Sequence, residues 1–289
     1  MTLKNLNALS PAEASERLRA CCGSARWVEE TMKGFPFASE AALVQRATAA
    51  WYEVCTEGDW REAFTHHPKI GDVDSLKKKF AATGHLAGAE QSGVNDADSG
   101  TLEALAAGNT AYEARHGFIF IVCATGKPAG EMLRLLQDRL PNTPEEELRI
   151  AAGEQHKITI IRLRKLLDEA DWSFLKVSQL TTHVLDTSIG RPGRDITIRL
   201  QEPAPAGGWR TIAQGVTNAD GRIADLLPPN RVLPAGNYRM AFQTGAYFAQ
   251  QQLTGFYPAV EIQFTVFDET HYHVPLLVNP FGYSTYRGS

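Results

Sequence analysis

The chain has 289 residues, 43% of them hydrophobic and 21% charged, which excludes a disordered, collagenous or fibrous protein. That length is about twice a common domain and points to two of them. With 29 Lys and Arg against 33 Asp and Glu, the net charge is −4, so the basic excess of a nucleic-acid binder is missing.

No stretch reaches the roughly 18 apolar residues of a membrane helix, and no membrane association is expected. The longest apolar run, Phe118-Ile-Phe-Ile-Val-Cys-Ala124, suits a buried strand or core segment. Residues 1–10 lack the apolar core and cleavage site of a secretory signal, and Arg287-Gly-Ser289 is not a peroxisomal tripeptide, so a cytoplasmic location is expected. Cys21, Cys22, Cys55 and Cys123 have no paired Cys-x-x-Cys spacing; reduced thiols are expected rather than a metal site or a disulfide framework.

In chain order, residues 11–22, 40–52, 102–115, 130–140 and 144–168 place apolar side chains three and four apart, the period of amphipathic helices. Pro144 followed by Glu145-Glu-Glu147 is a strong helix start, with proline in the first turn and acids at the positive end of the dipole. Composition changes near residue 172. Residues 1–175 carry 20 basic and 25 acidic side chains, whereas 176–289 carry 9 and 8 and hold 9 of the 15 prolines. Beyond the change, Ile196-Thr-Ile-Arg-Leu200, Tyr238-Arg-Met-Ala-Phe242, residues 261–267 and 272–277 read as strands. Arg191-Pro-Gly193, Asn218-Ala-Asp-Gly221, Pro228-Pro-Asn230 and Pro234-Ala-Gly-Asn237 supply turn chemistry between them. The expected architecture is therefore an all-α bundle over 1–172 followed by an all-β sandwich over 179–289, joined by a short, stiff link.

Several polar residues sit in settings that can carry chemistry. In the first unit these are His67 beside Pro68, and the pair Glu90-Gln91 at the head of a helix. In the second unit His183 heads the first strand, Arg222 closes the turn Asp220-Gly221-Arg222, and His273 interrupts a strand. Alone, each has an ordinary explanation: strand histidines are commonly hydrogen-bonded core residues, and an arginine after a turn is commonly solvated. Lys77-Lys-Lys79 reads as a solvated face, and His271 as a structural residue sharing a face with His273.

Taken together, Leu180-Thr-Thr-His-Val-Leu-Asp-Thr187, Asp220-Gly-Arg222, His273-Val-Pro-Leu-Leu277 and the terminal Tyr286-Arg-Gly-Ser289 closely resemble the transthyretin-like family of 5-hydroxyisourate hydrolases. The Tyr-Arg-Gly-Ser motif separates the hydrolases from the hormone-carrying transthyretins. The resemblance implies that His183, Arg222, His273 and Ser289 are catalytic, that Tyr286 binds substrate, that no metal is used, and that the domain forms a homotetramer. The chemistry fits those residue types. Ring opening requires water to lose a proton, which an imidazole can take. It also builds charge on a carbonyl oxygen, which a guanidinium can hold.

In the first unit, His67-Pro-Lys-Ile-Gly-Asp72, Glu90-Gln-Ser-Gly93, residues 109–122 and Glu154-Gln-His-Lys-Ile-Thr-Ile-Ile-Arg-Leu163 resemble the family of decarboxylases acting on 2-oxo-4-hydroxy-4-carboxy-5-ureidoimidazoline (OHCU). That resemblance implies an all-helical fold and His67 as the acid/base. It gives Glu90 as a carboxylate partner, which either orients His67 or holds the substrate hydroxyl. Pro68, Gln91 and the backbone of Phe118, Ile119, Phe120, Ile121 and Val122 would line the substrate, and Arg162 would meet the departing carboxylate. Because the ring can act as its own electron sink, no cofactor is expected. The two activities are consecutive: hydrolysis of 5-hydroxyisourate to OHCU, then decarboxylation to (S)-allantoin. The small-molecule substrates are the expected partners. The competing reading is a transthyretin-like ligand carrier fused to a helical docking domain.

Overall fold

The computed structural model describes residues 1–67, 99–125, 127–168, 170–175 and 178–288, which fall into two compact units, Met1–Ala170 and Asp171–Ser289. In the first unit the described residues form α1 (Leu3–Asn7), α2 (Pro11–Cys21), α3 (Ala25–Met32), α4 (Glu40–Ala49), α5 (Glu57–Thr65), α6 (Ser99–His116), α7 (Ala129–Arg139) and α8 (Pro144–Leu166). A single π-helical turn, Ala50–Val54, extends α4. Local chemistry sets the starts. Ser10 and Glu13 close a reciprocal capping box ahead of Pro11, and the Thr143 hydroxyl accepts from the Glu146 amide ahead of Pro144. Helices α1, α3 and α5 go beyond the periodic segments of the sequence; they are short, and α1 and α3 begin at Thr2 and Ser24 caps.

Helix α8 is the spine of this unit. It buries Leu148, Ile150, Ala151, Ala152, Ile160 and Leu163, but also Glu147, Glu154, Gln155, His156, Lys157 and Thr159. Buried polar groups need partners, so these side chains dictate what packs around the helix. Glu147 pairs with Arg139 at 2.5 Å, with both side chains almost fully enclosed. The same carboxylate accepts from the Tyr112 hydroxyl, and from Asn142 Nδ2 at 2.7 Å. Trp51 Nε1 donates to the Ala152 carbonyl at 2.9 Å, fixing the π turn against the spine.

The run from Phe118 to Cys123 has no regular secondary structure and is buried except at half-buried Ile119; among the described residues it pairs with no strand. It is held instead by side chains from two helices. Arg139 Nη1 donates to the Ile121 carbonyl at 2.9 Å, and the Cys123 amide donates to Glu154 Oε2 at 2.7 Å. All four cysteines are free thiols, and burial pushes Cys21, Cys22 and Cys55 up to about 12.

The second unit is a two-sheet sandwich. One sheet has the order β2-β1-β8-β9, from β1 (Leu180–Asp186), β2 (Arg191–Pro192), β8 (Tyr272–Asn279) and β9 (Gly282–Thr285), with β5 (Arg222–Ile223) also paired to β1. The other has the order β4-β3-β6-β7, from β3 (Thr197–Pro203), β4 (Trp209–Val216), β6 (Gly236–Phe242) and β7 (Val260–Val266). Between them lies a core that includes Val184, Ile198, Leu200, Met240, Phe242 and Leu276. β1 alternates buried and half-buried residues, so Leu180, Thr182, Val184 and Asp186 face the core while Thr181, His183 and Leu185 face outward.

Two expectations need correction. His183 stands in the middle of β1, not at its head. The unit is also not all β, because Thr244–Gln250 forms α9. That segment folds as a helix since it can bury Tyr247 and Phe248 on one side, with the Tyr247 hydroxyl donating to the enclosed Asp186 carboxylate at 2.9 Å.

Glu147→Ala would leave Arg139 charged and unpaired in the interior. It is expected to cost about 3–5 kcal/mol, read as an earlier denaturant midpoint of the helical circular dichroism signal. An unchanged midpoint would show that the network does not hold this unit together.

Candidate active sites

In the first unit His67 stands two residues past the end of α5, its amide donating to the Phe64 carbonyl at 3.2 Å. Its Nε2 lies 2.5 Å from Gln155 Oε1. Gln155 is fully buried, and its amide orientation is fixed by a local chain. The Thr159 hydroxyl donates to the Gln155 main-chain carbonyl at 3.0 Å, so it can only accept from Gln155 Nε2, 3.3 Å away. The amide oxygen therefore points at His67, whose Nε2 must carry the hydrogen. Gln155 is the next residue after Glu154, which holds the Cys123 amide. One turn of α8 thus places both the His67 ring and the 118–123 segment. Ring contacts tie that segment to the flanking helices, Phe64 to Phe118 at 5.2 Å and Tyr112 to Phe120 at 5.1 Å.

Arg162 lies seven residues beyond Gln155 on the same face of α8, about 10 Å along the axis. Its Nη1 donates to the Cys21 carbonyl at 3.3 Å. Pro68, Glu90 and Gln91 lie outside the described residues, as does Ser289.

In the second unit strand pairing draws distant residues onto the outward face of one sheet. β1 and β8 run parallel with Thr181 beside His273 and His183 beside Pro275, while β5 sets Arg222 beside His183. The chain beyond β9 continues along β8: Gly288 bridges His273, its amide donating to the His273 carbonyl at 3.0 Å. In the same register Tyr286 falls next to Pro275. One row across the strands therefore reads Arg222, His183, Pro275, Tyr286, and the next reads Thr181, His273, Gly288.

Two glycines make this approach feasible. Gly221 has φ +70°, and a Cβ there would stand 2.4 Å from the Val184 carbonyl oxygen, so the turn that delivers Arg222 to β1 requires glycine. A Cβ on Gly288 would stand 2.3 Å from His273 Cδ2. Burial, then the Arg222 cation, holds both His183 and His273 below the ordinary histidine range. Both rings are therefore neutral, and able to accept a proton, to lower pH than a free imidazole.

The structure also brings in residues the motifs did not single out. Thr181 Oγ1 lies 2.9 Å from His273 Nδ1 and 3.0 Å from His271 Nε2, and His271 Nδ1 lies 3.1 Å from the Ser178 carbonyl. In the first unit the additions are Gln155, Glu154 and Arg139. The sequence signal for the first two was the run Glu154-Gln-His-Lys157, four polar residues in succession between the apolar stretches Ile150-Ala-Ala152 and Ile158 to Ile161.

Residues 7–164 match the family model described as OHCU decarboxylase, and residues 180–288 that of the HIUase/transthyretin family. The chain is similar to the uric acid degradation bifunctional protein TTL of Arabidopsis thaliana, 32% identical over 319 residues that cover 94% of this chain and 97% of the relative. A 5-hydroxyisourate hydrolase of Mus musculus is 45% identical over 114 residues, 39% of this chain and 96% of that one. Among solved structures, one of (S)-allantoin synthase aligns over 100% of both chains at 27% identity, with a TM-score of 0.44.

Gly288→Ala is expected to lift the last residues off β8. The check is hydrogen exchange of the residue 288 amide, which should lose its protection; retained protection would mean the tail tolerates the methyl group.

Proposed function

Because the chain belongs to the OHCU decarboxylase family and carries a second domain of the HIUase/transthyretin family, we propose that it is a bifunctional enzyme running two consecutive steps of urate degradation. The second unit hydrolyses 5-hydroxyisourate to OHCU, and the first decarboxylates OHCU to (S)-allantoin. The observation that carries this reading is that each unit presents an imidazole held at one ring nitrogen by a neighbouring side chain, His67 by Gln155 and His273 by Thr181. Such rings are set to move protons in a defined direction. A ligand carrier needs neither.

In the hydrolytic step His273 takes a proton from water as the water oxygen bonds to the ring carbonyl carbon. Arg222 stabilises the developing oxyanion. The carbon–nitrogen bond of the ring then breaks, and the nitrogen leaves with the proton returned by the imidazolium. His183, in the same row as Arg222, and Ser289 complete the catalytic set, and Tyr286 in that row binds the substrate.

In the second step the bond to the carboxylate breaks and carbon dioxide leaves. Its electron pair passes into the ring toward the imine nitrogen, which takes up a proton. The hydroxyl loses its proton to become the ring carbonyl, and the ureido-bearing carbon gains one on a single face. His67 carries that traffic with Glu90, Arg162 faces the carboxylate, and Pro68, Gln91 and the backbone of residues 118–122 line the ring. A rigid lining favours one face of protonation, and the Arg139 and Glu154 contacts supply that rigidity. We further read the first unit as an all-α helical bundle, the protein as cytoplasmic, and the assembly as a homotetramer formed through the hydrolase domain, whose half-buried Leu185 and Leu277 flank the site on its outward face.

His67→Ala should lower decarboxylation about a hundredfold or more and leave hydroxyisourate opening intact, so that urate plus urate oxidase yields racemic allantoin by circular dichroism. His273→Ala should give the reverse pattern. Loss of both steps in either folded variant would overturn the separation of sites. The pH dependence follows from the charges. Since the Arg222 cation helps depress His273 and His183, Arg222→Gln should raise both and move the acid limb of the residual hydrolysis to higher pH, read from kcat/KM against pH. An unmoved limb would remove Arg222 from their electrostatic surroundings.

A further inference from the structure

His271 looks structural in the sequence, yet the hydrogen bonds around it determine which nitrogen of His273 holds a proton. The chain of bonds starts at a group with no choice. The Ser178 main-chain carbonyl has lone pairs only, so His271 Nδ1 must carry a hydrogen and donate to it across 3.1 Å. In a neutral imidazole the other nitrogen is then a bare acceptor. His271 Nε2 faces Thr181 Oγ1 at 3.0 Å, and the hydroxyl must donate to it. A hydroxyl has one hydrogen. Having directed it at His271, Thr181 meets His273 Nδ1 at 2.9 Å with a lone pair, and that nitrogen must be the donor. The opposite arrangement, with Thr181 donating to His273, would set the lone pair of His271 Nε2 against one on the hydroxyl oxygen.

We propose that Thr181 and His271 are positioning residues that hold His273 as the Nδ1–H tautomer, leaving Nε2 as the nitrogen that takes the proton from water. The proposal rests on the reading of His273 as the base of the hydrolytic step. It assigns work to both residues without either touching the reacting atoms. Strand pairing makes the relay possible. Parallel register sets Thr181 directly beside His273, and Ser178 leads into β1 just as His271 leads into β8. The Gly288 amide, by taking the His273 carbonyl, holds the backbone from which the ring projects. A base on the wrong nitrogen is expensive in an otherwise intact site, because a proton-transfer group must lie within hydrogen-bond reach of the proton it abstracts.

The test uses the full chain labelled with 15N-histidine, with the ring nitrogens of His273 assigned by difference against His273→Gln. At a pH where the imidazoles are neutral, wild-type protein should show His273 protonated at Nδ1 and bare at Nε2. Thr181→Val, which keeps the shape and removes the hydroxyl, should lose that pattern and lower kcat for hydrolysis about a hundredfold, with KM little changed and decarboxylation untouched. Thr181→Ser should restore both tautomer and kcat. His271→Leu should behave like Thr181→Val. A wild-type ring protonated at Nε2 would overturn the proposal, as would a Thr181→Val enzyme altered only in KM. The underlying reading fails separately: if His273→Ala hydrolyses normally, His273 is not the base, whatever its tautomer.

Discussion

A main-chain carbonyl can only accept a hydrogen bond, and both candidate sites are built outward from one. In the helical unit the Gln155 carbonyl takes the Thr159 hydroxyl, which turns the Gln155 amide so that its oxygen meets His67. In the sandwich the Ser178 carbonyl takes His271, and Thr181 passes that constraint to His273. Each converts fixed backbone geometry into a fixed proton position, and the two rings end up polarised in opposite senses: His67 protonated at Nε2, His273 at Nδ1.

The scaffolds reach this result by different routes. In the first unit the spine helix α8 buries polar residues in succession, and each recruits something from elsewhere: Glu147 recruits Arg139 and Tyr112, Glu154 the Cys123 amide, Gln155 the His67 ring. Among the described residues the 118–123 segment pairs with no strand, and those side chains hold its course. In the second unit no helix is needed. Strand alternation alone turns Thr181, His183 and Leu185 outward and their neighbours into the core, so a register set by Leu180, Val184 and Leu276 also sets the spacing of the polar row.

Much of this was legible from residue order. The Pro144-Glu-Glu-Glu147 start of α8 and the alternation of Ile196-Thr-Ile-Arg-Leu200 rest on local chemistry, and the structure shows a helix and a strand there. The motif set around His183, Arg222 and His273 named residues that meet on one face although up to 90 positions separate them. What escaped was of two kinds. Short elements such as α3, α5 and α9 carry too few periods to stand out, and α9 forms because the sandwich offers Tyr247 and Phe248 a place. The supporting polar residues escaped for a different reason. Gln155 lies 88 positions from His67 and Thr181 lies 92 from His273, so their roles exist only once the chain has folded.

The parallel pairing of β1 with β8 has a consequence for how the protein is made. Leu180 finds its neighbour in Tyr272, and at about 5–20 residues per second a ribosome needs roughly 5–20 seconds to reach it. Throughout that interval the helical unit can already be complete, while β1 waits with one ladder of amides and carbonyls unmatched. A nascent chain in that condition is a template for any stray strand, so translation speed and chaperone cover over this stretch bear on the yield of active protein.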